Sequence, residues 1–513
     1  MHEQEAQISR RTVIKGAAAA GGGLVVGGGC ADELLAEAAL PPDALRISND
    51  QWFAERAWSV SANKVLGATT AVTSHAKRIY RPTSAAEIAA IVKFLPEATP
   101  IACVCGGHES SNAAMVANND AVILDLIRLK SIEFHKAGGE SLVTVGSGVV
   151  FRELVEAVKA HGGALPVGTG PGVGVAGYVM NGGLSSYFSR RLGLLGQRVV
   201  QMTVVTAAGE IRMLTAKDEL FTAMLGAGSA LAIVVDLTLR LADASIVKFA
   251  EQRVFGFETR EQAVQYSHEA MRFMREHVIP HESVSLELVV TGTKALVVTT
   301  VFYDTFAGDS VAFVKPLEDL AASMKLPTLA QGHWGSWYEA AAALWPVIAQ
   351  QTGAPLATLY HCVGTEGVPP DDVLDFVSKT IVGEAPLDEA SLSIVEIRSL
   401  GGAAQKGTKI PTGNCRHAFF VDLITLYDAK AKSTVERQAI VDSTNRVVDK
   451  ARAVKGLGVD FSGTHSQPDD IGRTAVAAEI FGSAEMAAMV ARAKDEVDPN
   501  NRFRFHPFAK FIA

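Results

Sequence analysis

Two glycine-dense segments constrain this chain more than any other feature of its sequence. The first covers residues 105–110 (Cys-Gly-Gly-His-Glu-Ser), and the second covers residues 168–177. Glycine allows backbone N–H groups to turn inward and approach a phosphate closely. His108 lies at the tip of the first segment, where its side chain can be held against a ligand. The pair predicts two phosphate-binding loops around a dinucleotide with a redox-active ring.

Residues 172–177 also satisfy the G-x-G-x-x-G spacing of Rossmann folds, but their surroundings argue against that fold. Residues 161–171 are broken by glycine and proline, so no convincing strand precedes the motif. The first acidic residue after it is Glu210, too far along to bind the ribose. We therefore interpret these glycines as the second phosphate loop of a different cofactor fold.

The two loops resemble those of a known family. The Gly-Gly-His-Glu-Ser stretch, and a second loop that continues into Asn181-Gly182-Gly183-Leu184, resemble the FAD-binding domain of the vanillyl-alcohol oxidase / p-cresol methylhydroxylase superfamily, most closely its berberine-bridge-enzyme-like branch. Residues 498–506 (Asp-Pro-Asn-Asn-Arg-Phe-Arg-Phe-His) resemble the closing motif of that branch. The resemblance implies an α+β fold, with a two-part FAD-binding domain of the p-cresol methylhydroxylase type and a substrate domain with an antiparallel sheet and flanking helices.

Changes of pattern along the chain divide it into segments. With 513 residues, two large domains or one domain with a large insertion are expected. An apolar strand over 101–105 is predicted to deliver the first loop, and a further strand is predicted over 421–427. The predicted segments are a twin-arginine signal peptide over 1–38, a helical lead-in over 39–74, an FAD-binding domain over 75–246, a substrate-binding domain over 247–465, and a C-terminal segment over 466–513 that returns to the FAD-binding domain.

The N-terminus carries a targeting pattern. Residues 9–15 (Ser-Arg-Arg-Thr-Val-Ile-Lys) precede a mildly apolar stretch rich in alanine and glycine, which is typical of a twin-arginine export signal. Residues 36–38 have the small-x-small form of a cleavage site, and lipidation of Cys30 is the alternative. No later stretch is long and apolar enough to span a bilayer. We expect a periplasmic or secreted protein that is exported after folding.

The composition limits the classes of partner that the protein can bind. A net charge of −8 and a pI near 5.9 argue against a nucleic-acid partner. The five cysteines have no zinc-like spacing, so no metal site is predicted. The expected partners are a small-molecule substrate and either dioxygen or another electron acceptor.

The resemblance also implies which residues bind the flavin. In the resembling family, a histidine at the position of His108 is bonded through its imidazole to the 8-methyl group of FAD; the alternative is a loop histidine bonded to backbone. Gly170 stands where members with two covalent bonds carry cysteine, so a single bond is expected. Residues 226–229, followed by a strand from Ile233, resemble the third flavin contact. The implied cofactor contacts are Cys105, Gly106, Gly107, His108, Glu109, Ser110, Gly168, Thr169, Gly170, Gly172, Val173, Gly174, Gly177, Asn181, Gly182, Gly228, Ile233 and Asn501.

Val173 aligns with the position taken to control access of oxygen to the flavin. A valine resembles the oxygen-reactive members, whereas leucine accompanies dehydrogenases; ordinary loop packing is the alternative. The resemblance therefore favours an oxidase.

The motifs do not identify the catalytic base. The family often uses a Tyr-x-Asn-Tyr stretch, but residues 460–465 read Asp-Phe-Ser-Gly-Thr-His here. His465, Glu396 and Arg416 are the candidate catalytic residues, and a structural role is the alternative for each. The predicted function is that of an exported FAD-dependent oxidoreductase, which transfers hydride from a small alcohol, sugar or amine to flavin N5, with dioxygen yielding hydrogen peroxide. The alternatives are a dehydrogenase that uses a quinone or protein acceptor, and a flavin-holding protein without turnover.

Overall fold

The structure is a computed structural model, and the part of the chain outside its description includes the predicted signal peptide and the candidate base His465. The described residues are 49–66, 72–247, 249–281, 284–293, 296–305, 311–343, 345, 356–385, 391–460 and 473–512.

Strands and helices alternate along the described ranges. The strands are β1 Ser59–Ser61, β2 Arg78–Tyr80, β3 Ile101–Val104, β4 Val122–Asp125, β5 Ile132–Ala137, β6 Glu140–Gly146, β7 Gly163–Ala164, β8 Val199–Val205, β9 Ile211–Thr215, β10 Ile233–Arg240, β11 Ala242–Asp243, β12 Phe249–Phe257, β13 Val284–Thr293, β14 Leu296–Thr305, β15 Thr328–Trp334, β16 Leu356–Thr365, β17 Ser391–Ser399, β18 Phe419–Tyr427 and β19 Gly458–Asp460. The α-helices are α1 Asn49–Arg56, α2 Ala62–Val65, α3 Ala85–Phe94, α4 Phe151–Ala160, α5 Val175–Val179, α6 Ser189–Leu192, α7 Glu219–Ala227, α8 Arg260–Phe273, α9 Val311–Ser323, α10 Trp337–Ala342, α11 Asp371–Phe376, α12 Ala403–Lys406, α13 Thr434–Arg452, α14 Arg473–Ile480, α15 Ala484–Val497 and α16 Ala509–Ile512.

Two sheets carry the glycine loops. A parallel sheet in the order β2-β4-β3 delivers the first loop directly after β3. An antiparallel sheet in the order β5-β6-β10-β8-β9 packs against α4, α5 and α7, whose buried apolar side chains include Phe151, Val179 and Met224. The second loop lies between α4 and α5, so both loops start from rigid, buried elements.

The largest sheet within the described ranges has nine strands. Its order is β1-β16-β18-β17-β13-β14-β12-β15, and β19 also pairs with β16. Strand β1 runs parallel to β16, and the other pairs are antiparallel. One face buries apolar residues such as Leu288, Ile397 and Leu423 among Tyr266, Val377 and other residues of the helices that cover it. Side chains alternate between faces along a strand, and the opposite face carries the charged residues described below.

The C-terminal part of the described chain packs onto the first glycine-loop sheet through Arg502. This buried guanidinium donates to the carbonyl oxygens of Val92 (3.3 Å), Thr99 (3.2 Å) and Ala207 (2.6 Å). The Arg502 carbonyl in turn accepts from the N–H of Ile101, the first residue of β3, at 2.8 Å. Three backbone carbonyl groups, from Val92, Thr99 and Ala207, thus meet at one side chain. Among the described helices, none is both long and apolar enough to cross a membrane.

Candidate functional site

The two glycine loops are in direct contact, backbone against backbone. A Cβ added to Gly106 would lie 2.2 Å from the nitrogen of Gly174, and one added to Gly174 would lie 2.5 Å from the nitrogen of Gly106. No real Cβ approaches that closely, so only glycine fits at either position. The N–H of Gly177 also hydrogen-bonds the sulfur of Cys105. The sequence singled out both loops, and the structure brings them together.

The loops present hydrogen-bond donors that the protein itself leaves unused. Among the described residues, no group accepts from the backbone N–H groups of Gly106, Gly107, Thr169, Gly170 or Gly172. Backbone N–H groups of glycine-rich loops can form a concave site of positive partial charge that suits an anion. The arrangement therefore fits the diphosphate of a dinucleotide.

Two buried amide oxygens are a separate feature, because as acceptors they suit N–H or O–H donors of a bound ligand and not its phosphates. The side-chain oxygens of Asn181 and Asn501 are buried and accept no hydrogen bond from the described part of the chain. A buried acceptor without a donor costs free energy, of about 1–3 kcal/mol, unless a ligand or water supplies the donor. Asn181 is held in place because its Nδ2 donates to the carbonyl of Gly177 at 2.8 Å. Both residues were implied cofactor contacts.

His108 lies between the second loop and a tryptophan. A Cβ added to Gly172 would lie 2.9 Å from Nε2 of His108. On its other side, the imidazole stacks on the indole of Trp58, with ring centroids 5.1 Å apart and planes 20° apart. The imidazole is therefore confined at the junction of the two glycine loops.

The Glu109 carboxylate stabilises the turn that follows His108. The Glu109 carboxylate accepts from the N–H groups of Ser111 and Ala113, both at 2.6 Å, and closes the turn that follows His108. Burial raises the pKa of Glu109, although these two hydrogen bonds oppose the shift.

Burial also raises the pKa of the Cys105 thiol to about 12, so this thiol is neutral and a poor nucleophile.

The third implied contact, at Gly228, packs against Met180, and the turn that follows it is bonded to the C-terminal segment. Gly228 has a positive φ of 36°, and a Cβ there would lie 2.5 Å from that of Met180. Gly182, at φ 91°, faces Thr412, whose Cγ2 would lie 2.9 Å from an added Cβ. Lys494 donates to the carbonyl of Ala230 at 2.7 Å, which connects this turn and the following Ile233 strand to α15. Gly168 packs against the rings of Phe151 and Tyr178.

Tyr178 connects the second loop to the charged face of the nine-stranded sheet. It lies on α5, its phenol donates to the carbonyl of Leu184, and Leu184 packs against Cys362 and Phe420 of the sheet. Burial raises the pKa of Tyr178, and the nearby positive charge of Arg398 acts in the opposite direction. The phenol therefore stays protonated, close to an arginine of the sheet.

Arg398 is the centre of a charge cluster on that face. Its guanidinium binds Glu287 (Nε to Oε1, 2.8 Å), Glu396 and Asp422, which come from three neighbouring strands. Sheet register explains the cluster, because Glu287 lies opposite Arg398 and Glu396 lies opposite Asp422. Burial alone would lower the pKa of Arg398, but the charges of Asp422 and Glu287 outweigh it and the net shift is upward.

The three candidate catalytic residues do not form one cluster among the described residues. Glu396 belongs to the Arg398 cluster and has a side-chain exposure of 21%, against 2% for both Glu287 and Asp422, so it is the most accessible carboxylate there. The described bonds of Arg416 go to Glu366 (3.2 Å) and to the carbonyl of Glu479 (3.3 Å), and none reaches Glu396. His465 lies outside the described residues.

Several polar residues around the site were not identified from the sequence. They are Trp58, Tyr178, Glu287, Arg398 and Asp422. One signal was available, because Asp422 interrupts an otherwise apolar strand that is buried along its whole length. A lone carboxylate in such a strand requires a buried partner, and here Arg398 and the Cys362 thiol, which donates at 2.8 Å, are its partners.

Comparison with known proteins accounts for part of this arrangement. Residues 76–215 match the family model for an FAD binding domain. The (R)-6-hydroxynicotine oxidase of Paenarthrobacter nicotinovorans is 31% identical over 166 residues, covering 32% of this chain and 35% of that protein. The chain thus matches about a third of the length of such curated relatives. The resemblance inferred from the glycine loops is confirmed by the match of residues 76–215 to an FAD binding domain.

Two solved structures share the fold over most of the chain. Berberine bridge enzyme from Eschscholzia californica aligns with a TM-score of 0.74 at 17% identity, covering 93% of this chain and 98% of that one. Xylooligosaccharide oxidase from Myceliophthora thermophila, in complex with xylobiose, aligns with a TM-score of 0.71 at 17% identity, covering 92% and 97%. Both similarities concern the fold, and they confirm the predicted α+β class.

Proposed function

We propose that this chain, with its FAD binding domain at residues 76–215, is an FAD-dependent oxidoreductase acting on a small alcohol, sugar or amine. The observation that carries the proposal is the contact between the two glycine loops, which brings the unused N–H donors of both loops together beside His108. The amide groups of Asn181 and Asn501 would complete the binding of the cofactor. When bound, FAD would supply hydride acceptance at its N5 atom.

A single covalent bond from His108 to the 8-methyl group of FAD is part of this proposal. Forming that bond replaces an imidazole N–H and a methyl C–H by one C–N bond. The protons and electron pair released would pass to dioxygen, giving hydrogen peroxide. The position of His108 against Gly172 supports this role, and Gly170 offers no thiol for a second bond.

The charged face of the sheet supplies the substrate side of the proposed site. Glu396 is the proposed proton acceptor, because it is the most exposed carboxylate of the Arg398 cluster. Arg398 would hold it in one orientation, and Tyr178 would close the side towards the second loop. A buried, pre-organised set of charges can position a proton transfer without reorganising water.

Dioxygen is the proposed electron acceptor. The proposed location is the periplasm or the exterior of the cell, reached by the twin-arginine route. Val173, the residue expected to control oxygen access, is half-buried, and its Cγ2 would lie 2.7 Å from a Cβ placed on Gly170. A small residue beside such a glycine would leave a narrow path by which dioxygen reaches the flavin. The export signal itself lies outside the described residues.

A visible spectrum of the purified full-length protein, taken before and after acid precipitation, tests the cofactor assignment. Flavin absorption that stays with the wild-type pellet but washes free from His108→Ala is the expected result. His135→Ala, which changes an exposed histidine on β5, is the matched control. A protein that binds no flavin even after incubation with FAD would contradict the proposal.

A second experiment separates the enzyme classes. Amines, alcohols and sugars are screened without oxygen for bleaching of the flavin, and air is then admitted while peroxide is measured. Bleaching followed by stoichiometric peroxide indicates an oxidase. Bleaching that only a quinone reverses indicates a dehydrogenase, and no bleaching with any substrate indicates a flavin-holding protein.

A further inference from the structure

Residues 56–61 pass directly beneath the loop that carries His108. A Cβ on Gly107, which has a φ of 74°, would lie 2.2 Å from the carbonyl oxygen of Arg56. Farther along the loop, the buried amide of Asn112 accepts from the N–H of Ser61 at 2.7 Å and donates to the carbonyl of Ser59 at 3.0 Å. The loop is therefore fastened to this segment on both sides of His108.

The same segment is fixed to the rest of the protein at each end. Arg56 donates to the carbonyl of Cys105 and pairs with the fully buried Asp125 at 3.2 Å. Asp125 also accepts from the indole of Trp52 at 2.8 Å. At the other end, Ser59–Ser61 forms strand β1 of the nine-stranded sheet. A short stretch held at both ends is a rigid support.

Trp58 lies in the middle of this support and stacks on the imidazole of His108. Stacking holds one ring parallel to another, and the Gly172 backbone prevents the imidazole from moving away on the loop side. The indole also covers a face of the imidazole that water would otherwise occupy. Neither Trp58 nor the segment belongs to the matched FAD binding domain at residues 76–215.

We propose that Trp58 is a positioning residue that orients the His108 imidazole for its covalent attachment to FAD. This inference rests on the proposed attachment through His108. Trp58 acts through the histidine, so its loss should slow formation of the bond without weakening non-covalent binding of FAD. A poorly oriented nucleophile typically loses about tenfold or more in rate, because the reactive geometry is populated less often.

The test uses the full chain prepared without flavin and then incubated with FAD in air. Covalent flavin is followed over time by fluorescence in denaturing gels, and total FAD is followed by absorbance. We expect Trp58→Ala to form covalent flavin at least about tenfold more slowly than wild type at equal FAD occupancy, and Trp58→Phe to recover most of the rate, since phenylalanine still stacks. Trp345→Ala, which removes an indole beside Arg152 instead, should behave as wild type.

A second variant, His108→Ala, distinguishes a positioning role of Trp58 from a role of Trp58 in folding. In His108→Ala, no bond can form, so adding Trp58→Ala should leave FAD occupancy and thermal stability unchanged. A loss of FAD in that double variant, or a wild-type rate in Trp58→Ala, would overturn the inference while leaving the attachment itself intact. Wild-type protein that never retains flavin after denaturation would overturn both, because there would be no bond to position.

Discussion

Gly106 follows strand β3 and Gly174 lies between helices α4 and α5, yet each occupies the space that a side chain on the other would need. A Cβ on Gly106 would lie 2.2 Å from a backbone nitrogen, which no rotamer change can relieve. The two loops are therefore held at one separation, and the donors between them keep one geometry.

Gly106→Ala should separate the loops. We expect the free energy of unfolding to fall by about 1–3 kcal/mol and FAD occupancy to fall with it. The added methyl group would meet the backbone of both Gly172 and Gly174. Denaturant titration and flavin absorbance measure the two effects. Gly367→Ala is the control, since nothing lies within 4 Å of its added Cβ. Wild-type stability and occupancy in Gly106→Ala would show that the loops can move apart.

Arg398→Met should destabilise the nine-stranded sheet. The substitution leaves Glu287 and Asp422 buried without their cation, which typically costs about 3–5 kcal/mol of unfolding free energy. Urea titration at neutral pH is the measurement. Arg492→Met, which removes an exposed pair with Glu219, should change stability by no more than about 1 kcal/mol. Equal effects of the two variants would mean that the cluster is solvated and not buried.

Glu396→Gln should lower kcat while leaving the flavin in place. If Glu396 accepts the substrate proton, the amide removes that function, and a loss of about 10²–10⁴-fold is expected. Stopped-flow bleaching of the flavin under anaerobic conditions measures the step directly. Glu366→Gln, at the exposed partner of Arg416, is the matched control. If the flavin of Glu396→Gln bleaches at the wild-type rate, another group accepts the substrate proton.

His506 should make the protein less stable in acid. Burial, and then the positive charge of Lys494, lower its pKa from 6.5 to about 3, and its Nδ1 accepts from the N–H of Phe508 at 3.2 Å. Because the unfolded chain binds the proton more readily, this contribution to stability is complete above pH 6.5 and is lost as the pH falls towards 3.

The variant His506→Asn isolates that contribution, because asparagine keeps an acceptor but does not titrate. Between about pH 7 and pH 4.5, its unfolding free energy should fall less than that of wild type, by about 1–3 kcal/mol. His135→Asn, at an exposed site, should follow the wild-type curve. Parallel curves for His506→Asn and wild type would mean that His506 is protonated in the folded protein as readily as in the unfolded chain.

The glycine loops could be predicted from the sequence because their requirement is local. A backbone that must approach a ligand or another backbone needs glycine at fixed positions, and that need is visible in one stretch of residues. Two strands also followed from apolar runs: 101–105 was predicted against Ile101–Val104 observed, and 421–427 against Phe419–Tyr427. The differences are of a few residues at the ends.

The charge cluster and the support beneath His108 could not be predicted in the same way. Arg398 meets Glu287 across 111 residues, and the pairing depends on the register of two long strands. Strand β1 has three residues, too few for a period to be seen, and it pairs with a strand that starts at Leu356. The lead-in was predicted as helical, and its helices α1 and α2 flank this strand. Such contacts follow from tertiary structure, which a local pattern does not encode.

The environment of Arg502 sets the order of events while the protein is being made. Val92, whose carbonyl oxygen Arg502 binds, precedes it by 410 residues, so at typical rates of translation the ribosome adds the arginine roughly 20–80 s later. Until then, helix α3, the turn before β3 and the turn after β8 lack the cation that gathers their backbone carbonyls. We therefore expect the nascent chain to leave its cofactor domain open, so that FAD enters only after translation has passed Arg502.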